Sequence, residues 1–170
     1  MKNSKTRYLC QAAMIAALYV VLTWLSALLG LASTTPQCRL GEALCILPLF
    51  LPAAVPGLGV GCLVANLLLS SPLPDLIFGT LATLLGAIVC RWIGRVWQSG
   101  SLINLIVATL PNVIANTIIV PLVLRYAYHL DAAFWLLAAE VAAGELIAGT
   151  LLGVLLVVSV PRRVRERLFC

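Results

Sequence analysis

Four acidic side chains, Glu42, Asp75, Glu140 and Glu145, lie within or at the edge of apolar segments, together with Arg39 and the carboxamides Asn66, Asn112 and Asn116. Ionisable groups in such surroundings cost about 3 kcal/mol each on insertion scales, so they face a protein interior or a water-filled cavity and mark substrate or ion paths. Asn112 and Asn116 are four residues apart and share a helix face. Glu140 and Glu145 are five apart, about 140° around a helix, so one ligand meets both equally only where the helix is distorted near Gly144. The chemistry of this set is recognition. One carboxylate accepts two N–H bonds from a guanidine-like edge, an Asn meets a ring carbonyl, and a second carboxylate faces an ammonium. Negative local charge disfavours anionic ligands and suits a cation or a ring with several N–H donors. The alternative is internal pairing, with Arg39 serving Glu42 and an Asn amide serving a Glu.

The elements that position these groups are membrane helices. Of 170 residues, 62% are apolar and 10% charged, whereas soluble domains carry about 25% charge and 45–50% apolar residues. This excludes a soluble enzyme, a nucleic-acid module and a disordered chain. At about 20 residues per span, six spans leave no room for an appended soluble domain. Helix 1 is expected over Leu9–Leu31; its "LLGLAS" end resembles a signal-peptide cleavage site, but the apolar run exceeds a signal h-region of roughly 7–15 residues. The block from Leu40 to Ser70 is interrupted by Pro52, Pro56, Gly57 and Gly59 and predicts two short antiparallel helices or a re-entrant hairpin with both ends on one side. Helices 4, 5 and 6 are expected over Asp75–Val96, Leu102–Leu124 and Ala132–Val160, the last long enough to tilt.

Charge assigns sidedness. With a cytoplasmic N-terminus, Lys2, Lys5, Arg7, Arg91, Arg95, Arg162, Arg163, Arg165 and Arg167 lie inside, and only Arg39 and Arg125 lie outside. Both termini are then cytoplasmic. Glu166 is the single inner acid; Glu42, Asp75, Asp131, Glu140 and Glu145 are outside or in the outer part of a span. The net charge of +5 therefore divides into unlike halves, and the outer half holds the candidate pocket. Tyr126, Tyr128, Phe134 and Trp135 fit an outer aromatic belt, and Trp92 and Trp97 an inner one. Trp24 lies deeper than a belt requires, so stacking against a ring is its alternative role.

Other chemistries lack their parts. Cys10, Cys38, Cys45, Cys62, Cys90 and Cys170 form no C-x-x-C pair and read as small core residues; the single His129 supports no His-based metal site. No nucleophile–base constellation is visible and no P-loop motif occurs, so energy for transport would come from other subunits. Short helices leave no clear inverted repeat of a secondary transporter. Ala12 with Ala16, and Ala13 with Ala17, form small-xxx-small pairs that admit a close helix neighbour; Ala139, Ala143 and Gly144 do the same on helix 6.

The stretch from Cys38 to Ile88 resembles the signature region of the QueT family, the substrate-binding S components of energy-coupling factor (ECF) transporters associated with queuosine-precursor uptake. The matching elements are "RLGEAL" with Arg39 and Glu42, the "PAAVPGLGVGC" turn leading to Asn66, and "DLIFGTLATLLGA" with Asp75, Phe78, Gly79, Thr80 and Thr83. "LPNVIANTIIVPL" with Asn112 and Asn116, and "VAAGELIAGTLLG" with Gly144 and Glu145, extend the resemblance over nearly the whole chain. Gly41 departs from the family pattern, which carries serine there; the role of the neighbouring carboxylate is expected to survive.

The resemblance implies an all-α integral membrane protein of six transmembrane helices, a RibU-like S-component bundle forming one domain over 1–170, with helices 2 and 3 short and Pro/Gly-interrupted. It implies a multi-pass protein of the bacterial cell membrane that docks on a transmembrane coupling subunit driven by two ATPases. ATP is then used by those partners, and this chain carries no cofactor. The alanine-rich start of helix 1, with Ala12, Ala13, Ala16 and Ala17, would contact the coupling subunit. The implied ligand is 7-aminomethyl-7-deazaguanine or a related deazaguanine, with Glu42, Glu140 or Glu145 on the ring donors or the ammonium and Asn112 and Asn116 on the polar edge. Arg39, Asn66, Asp75 and Trp24 complete the candidate set. The alternatives are an S component for another cationic or heteroaromatic vitamin such as thiamine, and a structural membrane subunit whose acids pair internally.

Overall fold

The computed structural model describes residues 2–31, 38–69, 71–97, 101–126 and 133–161, with the backbone alone for 2–4. The expectations for Tyr128, His129 and Asp131, and for Arg162, Arg163, Arg165, Glu166, Arg167 and Cys170, fall outside the described residues. The described residues form six helices: α1 (Lys2–Leu28), α2 (Leu40–Leu49), α3 (Ala54–Leu68), α4 (Asp75–Val96), α5 (Leu102–Tyr126) and α6 (Phe134–Ser159). There is no strand among them. Helices α1, α4, α5 and α6 are long and apolar enough to cross a membrane; α2 and α3 are shorter.

Helix α1 stops three residues earlier than the apolar run suggests. Gly30 has φ of 75°, its N–H bonds the Ala27 carbonyl at 3.0 Å, and the Leu31 N–H bonds Ser26 at 2.9 Å. This pair of bonds is a Schellman cap, which uses the left-handed conformation that glycine adopts without a Cβ penalty.

Helix α2 is wound as a 3-10 helix and contains Pro48. At about 2.0 Å per residue its ten residues reach deeper than an α-helix of that length. It contacts all five other helices, and Gly41 to Ile46, Pro48 and Leu49 are buried. A helix apolar on every side is stable only when enclosed. The Arg39 guanidinium, just before α2, donates to Asn66 Oδ1 near the end of α3 at 3.3 Å. The two short helices therefore run antiparallel, the start of α2 beside the end of α3. At the other end of α2, Arg91 of α4 donates to the Leu49 carbonyl at 3.3 Å and to Pro48 at 3.5 Å, capping the final turn.

Small residues set how closely the helices approach. A Cβ on Gly57 of α3 would lie 2.8 Å from the Ala12 carbonyl, and one on Gly61 would lie 2.9 Å from Tyr19 Cβ and 3.1 Å from Ala16 Cα. A Cβ on Gly86 of α4 would meet Asn112 Cα at 2.6 Å. In lipid such backbone contacts take the place of the hydrophobic drive. Large apolar side chains including Leu18, Val21, Ile88, Ile114 and Leu151 are exposed on the outside of the bundle. A surface of this kind suits acyl chains and would be a liability in water.

Two helices contain π-helical turns, Asp75–Gly79 at the start of α4 and Leu146–Leu152 within α6. A π turn rotates everything that follows relative to an α-helix and recurs at functional sites. Thr80 and Thr83 return their hydroxyls to the Leu76 and Gly79 carbonyls at 2.6 and 3.1 Å, satisfying acceptors that the turn disturbs.

Candidate binding cleft

Polar residues from five helices meet where α2, α4, α5 and α6 converge. Glu42, in the first turn of α2, is 3% exposed. Its Oε1 accepts the Tyr19 hydroxyl of α1. Its Oε2 accepts from Cys45 Sγ at 3.0 Å and from Asn112 Nδ2 of α5 at 2.9 Å. The same Asn112 nitrogen donates to Glu145 Oε2 of α6 at 3.2 Å. One carboxamide thus joins two carboxyl groups, using one N–H for each.

Beside this bridge lies a narrow cleft with a cavity volume of about 20 Å³. Arg39, Glu42, Asp75, Gly79, Thr83, Asn116, Val120, Val141 and Glu145 line it. Ligand pockets run to about 300–1,000 Å³, so side chains must part to seat a bicyclic ring. Asn116 is 4% exposed and its Nδ2 finds no hydrogen-bond partner. A buried donor left unpaired costs about 1–3 kcal/mol, and a ligand acceptor would recover that cost.

The structure brings Arg39, Glu42, Asp75, Asn116 and Glu145 to one cleft. Asn112 and Asn66 stand behind its wall. Asn112 bridges the acids, and Asn66 accepts from Arg39 while its amide donates to the Asp75 carbonyl at 3.4 Å. Glu140 is half-buried on α6 and does not line the cleft. Trp24 is 53% exposed on the outside of α1, away from the acids. The alanine pairs of α1 divide between two faces: Ala12 and Ala16 lie against Gly57 and Gly61 of α3, and Ala13 and Ala17 are exposed.

Sequence reasoning passed over three contributors. Tyr19 is fully buried in mid-helix, far from either aromatic belt, and that misplaced hydroxyl was the available signal. Cys45 sits one 3-10 turn from Glu42, but a lone cysteine in an apolar run carries no cue. Thr83 lines the cleft, and its hydroxyl oxygen lies 3.5 Å from Cys62 Sγ. Gly41 has a steric reason: a Cβ there would collide with Thr23 Oγ1 and lie 3.1 Å from the Tyr19 carbonyl.

The glutamate of the "RLGEAL" stretch, the asparagine pair of α5 and the glutamate of α6 are therefore one connected site, and the family model for the QueT transporter matches residues 9–162, which include all of them. The chain belongs to the QueT transporter family. No curated protein and no solved structure matches it. QueT proteins act in membrane transport as S components of ECF transporters. Four helices long and apolar enough to cross a membrane accord with that role.

Proposed function

We propose that this chain is the substrate-capture subunit of an ECF-type importer, a single transmembrane domain that binds 7-aminomethyl-7-deazaguanine or a close relative from the extracellular side. The observation that carries the reading is the cleft in which Glu42, Glu145 and the unpaired Asn116 amide converge. A deazaguanine presents a carbonyl to Asn116 Nδ2, a guanidine-like N–H edge to one carboxylate and an ammonium to the other. Asp75 and Arg39 close the rim, and Asn66 and Asn112 hold the wall residues in place. Family membership and the donor–acceptor match support this ligand.

Delivery runs through a transmembrane coupling subunit and two ATPases, with both chain termini in the cytoplasm as the basic residues indicate. The exposed Ala13 and Ala17 offer the coupling subunit a small-residue face beside the pair, Ala12 and Ala16, that knits α1 to α3.

Binding of the aminomethyl deazaguanine to the purified protein, and to Glu145→Gln and Asn116→Ala, tests the site. Both variants should lose about tenfold or more in affinity, equivalent to about 1.4 kcal/mol. Unchanged affinity in both rejects it. Native mass spectrometry of the protein as purified tests the ligand: a retained thiamine-like cation would replace the deazaguanine, and absence of any small-molecule binding would return the chain to a structural role.

A further inference from the structure

The helical glycines divide by what a side chain at each would meet. A Cβ on Gly57, Gly61, Gly86 or Gly94 would collide with or crowd the backbone of a neighbouring helix, so packing itself demands glycine there. Gly79 of α4 is different. It is buried, yet the nearest atom to its Cβ position is Asn66 Nδ2 at 3.4 Å, an ordinary contact. Nor does the backbone ask for glycine: φ of −64° and ψ of −43° are right-handed helical values that any L-residue adopts. The Gly79 carbonyl accepts the Thr83 hydroxyl at 3.1 Å, which the carbonyl of any residue could do. Alanine is the better helix former, so packing, backbone conformation and hydrogen bonding all leave the missing side chain unexplained.

The position of Gly79 explains it. Asp75, Gly79 and Thr83 follow at intervals of four on one face of α4, and all three line the cleft. Between a carboxylate and a hydroxyl the lining is therefore bare backbone. Val120 of α5 and Val141 of α6 are the apolar side chains of the same lining. The cavity of about 20 Å³ is little more than a single water needs, so one methyl group on its wall changes what it can hold. Gly149 of α6, whose Cβ would likewise meet nothing nearer than 3.4 Å, does not line the cleft.

We infer that Gly79 is a specificity-determining residue of the cleft: the flat face of a bicyclic ring lies on its backbone, and the absence of a Cβ there sets the capacity of the site at two fused rings. The inference rests on the proposed ligand reading and adds the residue that selects for ring size. A planar heteroaromatic face needs a surface without protruding atoms, and glycine is the residue that lets a backbone come that close to a ligand. The carboxyl and carboxamide groups read the edge of the ring, and Gly79 reads its extent. An alanine methyl would stand where the second ring lies, whereas a single ring still fits in the space that remains.

Titration of full-length Gly79→Ala and Gly79→Val with 7-aminomethyl-7-deazaguanine and with 2-amino-4-hydroxypyrimidine tests this. The pyrimidine keeps the guanidine-like edge and the carbonyl and lacks the second ring. Gly79→Ala should bind the bicycle about tenfold more weakly and Gly79→Val about 100-fold, while both hold the pyrimidine within about threefold of wild type. The thermal midpoint of ligand-free Gly79→Ala should hold or rise, because its methyl meets no backbone of another helix and alanine favours the helical state. Wild-type affinity for the bicycle in Gly79→Ala overturns the inference and leaves the ligand reading standing. A lowered midpoint with both compounds weakened alike also overturns it, because the glycine then serves packing. A wild type that does not bind the deazaguanine overturns both. Should Gly79→Val fail to fold, Gly79→Ala alone decides.

Discussion

The carboxamide of Asn112 donates to the carboxylate of Glu42 across 2.9 Å, joining α5 to α2 over 70 residues of chain. Because the same nitrogen reaches Glu145, the relationship holds together three helices, and its loss is felt in both stability and binding.

Asn112 and Asn116, one turn apart on α5, should therefore behave differently. Asn112→Ala leaves two buried carboxyls without their shared donor and should cost about 1–3 kcal/mol, seen as a lower thermal midpoint in detergent, along with weaker ligand binding. Asn116→Ala removes a donor that the protein itself does not use. Its midpoint should hold or rise while affinity falls. Equal loss of midpoint in both variants would contradict the division of roles.

Tyr19→Phe deletes the hydroxyl that Glu42 Oε1 accepts and keeps the ring that lies against Gly41. Hydrogen bonds to charged groups contribute about 1.5–3 kcal/mol, so the midpoint should fall by a matching amount, with no change in helical content by circular dichroism. A variant as stable as the wild type would show that the hydroxyl does not support the carboxylate.

The two acids of α6 offer the sharpest contrast. Glu140→Gln should leave ligand affinity unchanged, and so should Trp24→Ala, because neither side chain lines the cleft. Glu145→Gln should lose about tenfold or more. Titration of all three with the same ligand settles which acid belongs to the site.

Close approach of α1 and α3 gives a steric prediction. Gly57→Ala places a methyl 2.8 Å from a backbone carbonyl of α1, and the helices must separate to relieve it. Overpacking of this kind costs about 1–3 kcal/mol. Gly59→Ala meets a Leu84 methyl at 2.6 Å, but that side chain can rotate away, so its cost should stay under about 1 kcal/mol. Comparing thermal midpoints of the two variants tests whether backbone contact or mere crowding sets the spacing.

Much of this organisation was legible from residue order. Asp75–Val96 was expected with both of its ends, because "SSPLP" punctuates the chain before it. The Pro- and Gly-rich break after Leu51 left open two short helices or a re-entrant hairpin, and the structure has two short helices, α2 and α3. The end of α1 was misplaced because Gly30 sits inside an unbroken apolar run, and its capping conformation is a backbone property that hydropathy does not report. The π turn after Glu145 was equally hidden: it changes the winding of the backbone without breaking the apolar run.

Composition and spacing determined that this chain is a bundle of membrane helices and that the acids within its spans are concentrated in one half, because burying a charge in hydrocarbon is costly enough to leave a mark on every segment. They also assigned each polar residue a depth and a face on its own helix. Tertiary structure decided which faces meet. The rotation of one helix against another depends on where Gly57, Gly61 and Gly86 allow backbones to touch and on the π turn of α6. Those contacts bring Glu42, Asn112 and Glu145 together, and they leave Glu140 and Trp24 outside the cleft.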